Sequence, residues 1–126
     1  MKNTIISLVI FFILNIFIIF SINFVNNRCI YYENISNTLE RNINNQLWDE
    51  SYKISTEFLK NWESDSQIIS VFVSHEYLDD INSELLKLTQ YIKFKNENHS
   101  LAIIHNIKFS LNSITDFEKI TIKNIF

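Results

Sequence analysis

A continuous apolar run occupies the beginning of the chain. Residues 5–25 are almost all Ile, Leu, Phe and Val, and no charged residue occurs in residues 4–27. At 1.5 Å per residue, a helix of this length crosses a hydrocarbon layer of roughly 30 Å. A helix that is apolar on every side is not the surface helix of a soluble domain. The pattern predicts a transmembrane anchor over residues 1–27.

A cleaved signal peptide is the alternative explanation of this run. The run exceeds the usual apolar region of roughly 7 to 15 residues, and no A-x-A-like cleavage site follows it, so we expect a retained signal anchor. Lys2 and the α-amine are the cytoplasmic-side signal, partly balanced by Arg28 on the far side. We expect a single-pass protein of the cell membrane, with a cytoplasmic N-terminus and a C-terminal domain outside. Asn15, near the bilayer midplane, is the candidate contact to a neighbouring transmembrane helix.

Beyond Arg28, apolar residues recur at spacings of three and four, which predicts amphipathic helices. The stripe of the first helix, in which Ser51 fills a gap, comprises Tyr32, Ile35, Leu39, Ile43, Leu47, Ile54, Phe58 and Trp62. The second comprises Val71, His75, Leu78, Ile81, Leu85, Leu88 and Ile92, and the third Ile104, Ile107, Leu111 and Ile114. Turns are expected at Ser64, Asp65 and Ser66, which offer N-cap oxygens, and at Asn96, Asn98 and Ser100.

Short polar turns between helices force neighbours to run antiparallel. The expected fold is therefore all-α: an N-terminal transmembrane helix, then residues 28–126 as a small antiparallel bundle of about three helices. The first bundle helix can continue directly from the membrane helix. Residues 120–126 are apolar, and we expect a short helix or an extended tail that packs back on the bundle.

Composition excludes several classes of function. The chain has no Gly and no Pro, so the residues that normally form P-loops, nucleophile elbows and dinucleotide fingerprints are absent. Its turns are expected to use Asn, Asp and Ser instead. All 14 acidic residues follow Asn27, and the Lys residues are isolated among them. This balance disfavours nucleic acid as a partner, because phosphate binding requires clustered cations.

The densest polar cluster is formed by His75, Glu76, Asp79 and Asp80. His75 and Asp79 lie one helical turn apart and could share a metal ion, but only His99 or His105 could complete a tetrahedral set. We instead expect a partly buried imidazole that is hydrogen-bonded to Asp79 and fixes helix packing. The carboxylates have no accompanying nucleophile or oxyanion donor, so we expect no enzyme, cofactor or metal.

Three further residues have both a structural and a functional interpretation. Trp48 and Trp62, two heptads apart, would lie on nearly one side of a helix, and we expect them in the core rather than in a binding patch or a membrane-interface belt. Cys29 is the only cysteine, so it forms no intrachain disulfide. A neutral thiol is expected there, and a disulfide between two copies is the alternative.

Several short motifs carry a resemblance to a known family. They are Trp48, Trp62, residues 75–81, Tyr91-Ile92 and the ending Asn124-Ile125-Phe126. Together with the N-terminal apolar run, they resemble the bacterial membrane-anchored family called domain of unknown function 4363. Family members commonly carry a third tryptophan where this chain has Phe72. The resemblance implies a spore-forming, low-GC Gram-positive source, and it implies no activity or catalytic residue. It also implies that the protein is encoded near a multi-pass membrane protein, which would suit a partner subunit.

Two functional hypotheses follow from these patterns. The first is a membrane-anchored, non-enzymatic interaction module. Its expected partners are the lipid bilayer and another membrane or envelope protein, and this hypothesis also allows a homo-oligomer. The second is a small extracytoplasmic sensor, a bundle in which His75, Asp79 and the tryptophans line a site for a ligand or metal. Ligand-dependent stabilisation of the bundle would distinguish the sensor from the interaction module.

Overall fold

Residues 1–125 of the protein fold into four α-helices. A computed structural model describes the backbone of residues 1–125, and all side chains within it except those at residues 117, 118, 120–122 and 125. The helices are α1 (Lys2–Asn44), α2 (Trp48–Ile69), α3 (His75–Lys93) and α4 (Glu97–Ile125). No strand occurs in residues 1–125. The expected all-α fold is confirmed, but in residues 1–125 the bundle has four helices rather than the predicted three or so, because the predicted first bundle helix is divided between α1 and α2.

The first helix, α1, has two halves with different surroundings. Its large apolar side chains up to Phe20 are mostly half-exposed or more, and the one ring contact that they make outside α1 among the described residues is that of Phe17 with Phe72. From Ser21 onward, one face of the same helix is buried at Val25, Tyr32 and Leu39. By length and composition, α1 is the one helix in the described part of the chain that could cross a membrane. The expectation that the bundle continues directly from this segment is confirmed.

The break between α1 and α2 was not predicted. The stripe from Ile43 through Leu47 to Ser51 keeps helical spacing, which predicts one long helix, yet the backbone reverses at Gln46 with φ of 61°. The amide of Leu47 donates to the Asn42 carbonyl at 2.9 Å, and that of Gln46 donates to the Ile43 carbonyl at 3.0 Å. This is the Schellman closure of a helix C-terminus, which normally has Gly at the left-handed position. Leu47 is consequently exposed.

The second turn lies later than predicted. Ser64, Asp65 and Ser66 are inside α2, and the chain turns over residues 70–74, with Ser74 as the N-cap of α3. Val71, assigned to the second stripe, is therefore outside the helix and exposed. Asp65 does not cap a helix because its carboxylate is engaged by side chains of α1.

The third turn repeats the first without glycine. It occupies residues 94–96, so Asn98 and Ser100 belong to α4 rather than to the turn. Lys95 has φ of 57°, and the Lys95 and Asn96 amides close the end of α3 on the Ile92 and Tyr91 carbonyls. The prediction that Asn, Asp and Ser supply the turns is wrong at the left-handed positions, which Gln46 and Lys95 occupy.

The four helices close into one antiparallel bundle. Each packs on two neighbours: α2 and α4 flank the second half of α1, and α3 lies against both. Most of the predicted stripe residues are in the core, and Ser51 is buried as expected. The fully buried side chains include Tyr32, Leu39, Ile43, Phe58, Trp62, Ile81, Leu85, Leu88, Ile92, Ile104 and Ile107.

The end of the chain continues the last helix. α4 extends to Ile125, so residues 120–125 are neither a separate short helix nor an extended tail. Asn124 is exposed on this last turn. Phe126, the final residue of the Asn-Ile-Phe ending, and the Ile125 side chain lie outside the described part of the protein.

We predict that glycine at either left-handed position stabilises the fold. Gln46→Gly and Lys95→Gly each remove the clash of a Cβ in left-handed backbone, which costs about 1 kcal/mol. Chemical unfolding of the full chain in detergent micelles should therefore show a gain of about 1 kcal/mol for each variant. Asn45→Gly, at φ of −91°, is the matched control and should lose stability. Equal effects at positions 45 and 46 would contradict the assignment.

Candidate functional site

The polar cluster predicted at the start of α3 lies on the protein surface. His75, Glu76, Asp79 and Asp80 occupy the first two turns of α3, and all four are exposed. Their side chains make no hydrogen bond or ion pair with any residue that the structure describes. The expected burial of the His75 imidazole against Asp79 is therefore wrong. His75 is the first residue of α3, next to an exposed Ser74, so no preceding turn covers its ring.

His75 and Asp79 form one wall of an open groove between α2 and α3. The groove has a volume of about 460 Å³ and is lined by Glu63, Ser66, Gln67, Ser70, His75, Leu78, Asp79 and Asn82. The Asn82 side-chain oxygen is buried without a partner among the described residues. Asp80 lies on the α4 side of α3, in a smaller groove of about 340 Å³ that also contains Lys87 and Phe109.

The other histidines do not join this groove. The His99 ring stacks on Tyr91 at 4.9 Å, near the far end of the bundle. His105 approaches Glu40 of α1, with 3.7 Å between its Nε2 atom and a carboxylate oxygen. Within the described part of the chain, no three His, Cys, Asp or Glu side chains are grouped so that they could hold a metal ion.

The two tryptophans have separate environments. Trp62 is completely buried, and its indole Nε1–H donates to the Leu78 carbonyl at 3.3 Å, which joins α2 to α3. Trp48, the first residue of α2, is half-buried and packs on the core from the opposite end. The core position expected for Trp62 is confirmed, and the two indoles do not form a common patch.

A second polar cluster, which the sequence analysis missed, joins α1 to α2 just beyond the apolar run. Arg28 and the Tyr32 hydroxyl both donate to the same Asp65 carboxylate oxygen. A second contact, from Arg28 to the Tyr32 hydroxyl, measures 3.3 Å. Arg28 and Tyr32 are one helical turn apart, so both reach Asp65 from one face of α1. The only sequence signal was this i, i+4 pair, and Asp65 had been assigned to a turn.

Aromatic rings complete the environment of this cluster. The Arg28 guanidinium carbon lies 4.5 Å from the centroid of the Tyr31 ring and 5.2 Å from that of Tyr32. Burial of the phenol and its hydrogen bond to Asp65 raise the pKa of Tyr32, so it remains a protonated donor. The Tyr32 ring stacks on Phe58 at 4.9 Å and meets Trp62 edge-on at 5.2 Å. One tyrosine thus links the polar cluster to the core.

Polar side chains connect α1 to α4 toward the end of the bundle that lies away from the apolar run. Lys108 donates to the Glu40 carboxylate and lowers the pKa of Glu40. Beyond it, Gln46 donates to Glu97 at 3.1 Å. These pairs place the end of α1 beside the start of α4, as antiparallel packing requires.

Two residues with proposed intermolecular roles are engaged within the chain. The side-chain amide of Asn15 donates to the Phe11 carbonyl of its own helix at 2.7 Å, so this donor has a partner without a second helix. Cys29 is 2 % exposed and belongs to the hydrophobic core. Its burial argues against a disulfide between two copies of the folded protein.

The fold and its surface define a class of protein: a four-helix bundle whose first helix extends into an exposed apolar segment. The chain belongs to the family described as Domain of unknown function (DUF4363), whose model matches residues 19–125. The match begins inside the apolar run and covers the bundle, which confirms the resemblance seen in the sequence. No curated protein and no solved structure matches the chain.

We predict that the Arg28–Tyr32–Asp65 cluster stabilises the bundle and that His75 does not. Asp65→Asn leaves a partly buried guanidinium without its counter-ion, and the free energy of unfolding should fall by about 1 to 2 kcal/mol. His75→Ala removes an exposed ring and should change it by less than about 0.5 kcal/mol. Urea titration of both full-length variants in the same detergent measures the difference. Equal stability of the two variants would contradict the role given to the cluster.

Proposed function

We propose that this protein is a membrane-anchored, non-enzymatic interaction module. α1 holds it in the cell membrane through residues 5–25, and the bundle docks on another membrane or envelope protein. The observation that supports docking best is the exposure of charged and polar side chains on the first two turns of α3. There, four ionisable side chains are exposed and are not used by the fold, while the core beneath them is apolar and closely packed.

Charge is the chemistry that this surface offers to a partner. Glu76 lies three and four residues from Asp79 and Asp80, so the three carboxylates share one exposed face of α3, with Asp79 at its edge toward α2 and Asp80 at its edge toward α4. Carboxylates that are not paired within the chain favour a basic partner, because opposite charges increase both the association rate and the specificity of docking. Tyr77, between them in sequence, is also exposed and adds an aromatic ring of the kind enriched at interfaces.

We further propose that the bundle lies outside the cytoplasm. Lys2 precedes the apolar run, and a long polar domain follows it. In short flanking segments, positive charge favours the cytoplasmic side. An extracytoplasmic bundle restricts the partners to proteins of the envelope or to the outer faces of membrane proteins.

A sensor that binds a small ligand is the second candidate. The groove between α2 and α3 supports it, because His75, Asp79 and Glu63 line a volume of about 460 Å³. That volume is within the usual range for small-molecule sites, roughly 300 to 1,000 Å³. The groove is lined mainly by polar side chains, whereas ligand sites are predominantly apolar and enclosed, so the interaction module is the better supported function.

Site-specific photocrosslinking in intact cells tests the docking surface. A benzophenone amino acid replaces Tyr77, beside the carboxylates, or the similarly exposed Tyr52 of α2 as a matched control. We expect a discrete cross-linked product with one membrane or envelope protein from position 77 and none from position 52. The product should be lost when Asp79→Lys and Asp80→Lys reverse the local charge, because a basic partner is then repelled.

Two results would contradict the proposal. One is a cross-link from position 77 that survives charge reversal, since the carboxylates would then be irrelevant to docking. The other is the same set of products from positions 77 and 52, which would indicate random collision. His75→Ala is the control variant that keeps all three carboxylates, and the cross-link from position 77 should remain in it.

A further inference from the structure

We infer that the bundle has a second membrane contact: the turn between α2 and α3 lies in the outer interface of the same bilayer that α1 crosses. This inference rests on the proposed anchoring of α1. The segment concerned is residues 66–74, here called the α2–α3 tip. It is the end of the bundle nearest the apolar run.

The α2–α3 tip is uncharged and exposes apolar side chains. No Asp, Glu, Lys, Arg or His occurs in residues 66–74. Val71 is 72 % exposed and Ile68 is 53 % exposed, while Ile69 and Val73 face the core and are buried. The turn thus exposes two branched aliphatic side chains. Their insertion into lipid would not require the burial of a charged side chain from the same segment.

One aromatic contact fixes the depth of the tip. The Phe72 ring lies 5.8 Å from the ring of Phe17. Phe17 belongs to the apolar run and is itself half-exposed. The exposed part of α1 extends from Lys2 to about Phe20, which at 1.5 Å per residue is close to a hydrocarbon thickness of roughly 30 Å. Phe17 is then about one turn inside the outer boundary, and Phe72 reaches the same level.

The backbone of the tip suits a medium poor in water. The amides of residues 70–73 donate to carbonyls of residues 66, 68 and 69 at 2.8 to 3.2 Å. The Ser70 hydroxyl donates to the Gln67 carbonyl at 2.7 Å. An unpaired amide in lipid costs several kcal/mol, and these internal bonds remove that cost for the amides of residues 70–73.

The opposite end of the bundle lacks these properties. Phe94, in the turn between α3 and α4, is 75 % exposed, but Lys93 and Lys95 flank it and are exposed as well. This turn lies beside the last residues of α1, a full bundle length from the apolar run. Exposure of a large apolar side chain is therefore common to both ends, whereas the neutral sequence and the contact with Phe17 belong to the α2–α3 tip.

Lipid is the occupant that the contact with Phe17 supports. Whatever surrounds Phe17 in the membrane also surrounds Phe72 and its neighbour Val71. Attachment through both α1 and the α2–α3 tip would set the tilt of the bundle on the membrane. It would also hold the groove between α2 and α3, and His75 at its edge, close to the lipid headgroups.

Depth-dependent quenching tests this inference with the full-length protein. Single cysteines replace Val71, Phe94 or Phe12 in a Cys29→Ala background, and each carries an environment-sensitive NBD fluorophore. The purified variants are reconstituted into phosphatidylcholine vesicles with or without nitroxide-labelled phosphatidylcholine. We expect the nitroxide lipid to reduce the emission at positions 71 and 12 at least twofold, and to leave position 94 almost unchanged.

Each other outcome overturns the inference in an identifiable way. If position 12 is quenched and position 71 behaves like position 94, the anchor stands and the tip does not enter the bilayer. If position 71 is shielded from aqueous iodide without being quenched by lipid, the tip is covered by a second copy of the protein. If position 12 is not quenched, the anchor itself fails, and the tip contact fails with it.

Discussion

The continuity of α1 is the constraint on which the rest of the structure depends. One helix of 43 residues supplies both the exposed apolar segment and one wall of the bundle. Because the backbone of α1 is helical without a break, the orientation of the bundle is coupled to that of the apolar segment. A flexible linker would have let the two parts move independently, and no such linker exists between residues 20 and 30.

The transition between the two halves of α1 is where the fold concentrates its specific contacts. Arg28 and Tyr32 lie just beyond the apolar run and engage Asp65, and the Tyr32 ring meets Phe58 and Trp62. Trp62 in turn reaches the Leu78 carbonyl, so this group connects α1, α2 and α3. A bundle closed in this way leaves the charged side chains at the start of α3 on its outer surface.

The core of this fold could be predicted from the sequence because burial follows helical spacing. Leu78, Ile81, Leu85, Leu88 and Ile92 all lie where their stripe places them. The helix ends could not be predicted, because the usual punctuation by Gly and Pro is missing and the apolar spacing continues across the first turn. Gln46 and Lys95 adopt left-handed backbone only because the packed helices on either side require a reversal there.

The sequence predicted which residues form the cluster on α3, but it did not predict their exposure or their contacts. The cluster on α3 was identified from residue types, yet the burial expected for His75 depended on a helix that began earlier than α3 does. Asp65 had the signature of an N-cap, and only the packing of α1 on α2 shows that its carboxylate serves Arg28 and Tyr32. Beyond the i, i+4 spacing of Arg28 and Tyr32, local spacing does not reveal such tertiary pairing, since Asp65 is more than 30 positions away from both in the chain.

The most direct test of this account is a distance measurement along α1. Spin labels at Ile13→Cys in the apolar run and at Asn44→Cys at the helix end, in a Cys29→Ala background, are compared by pulsed electron resonance in phosphatidylcholine vesicles. A single rigid helix predicts a narrow distribution centred at roughly 46 Å between backbone positions, from the rise of 1.5 Å per residue. A broad distribution at shorter distances would indicate a hinge between the apolar run and the bundle, and would contradict the coupling of the two.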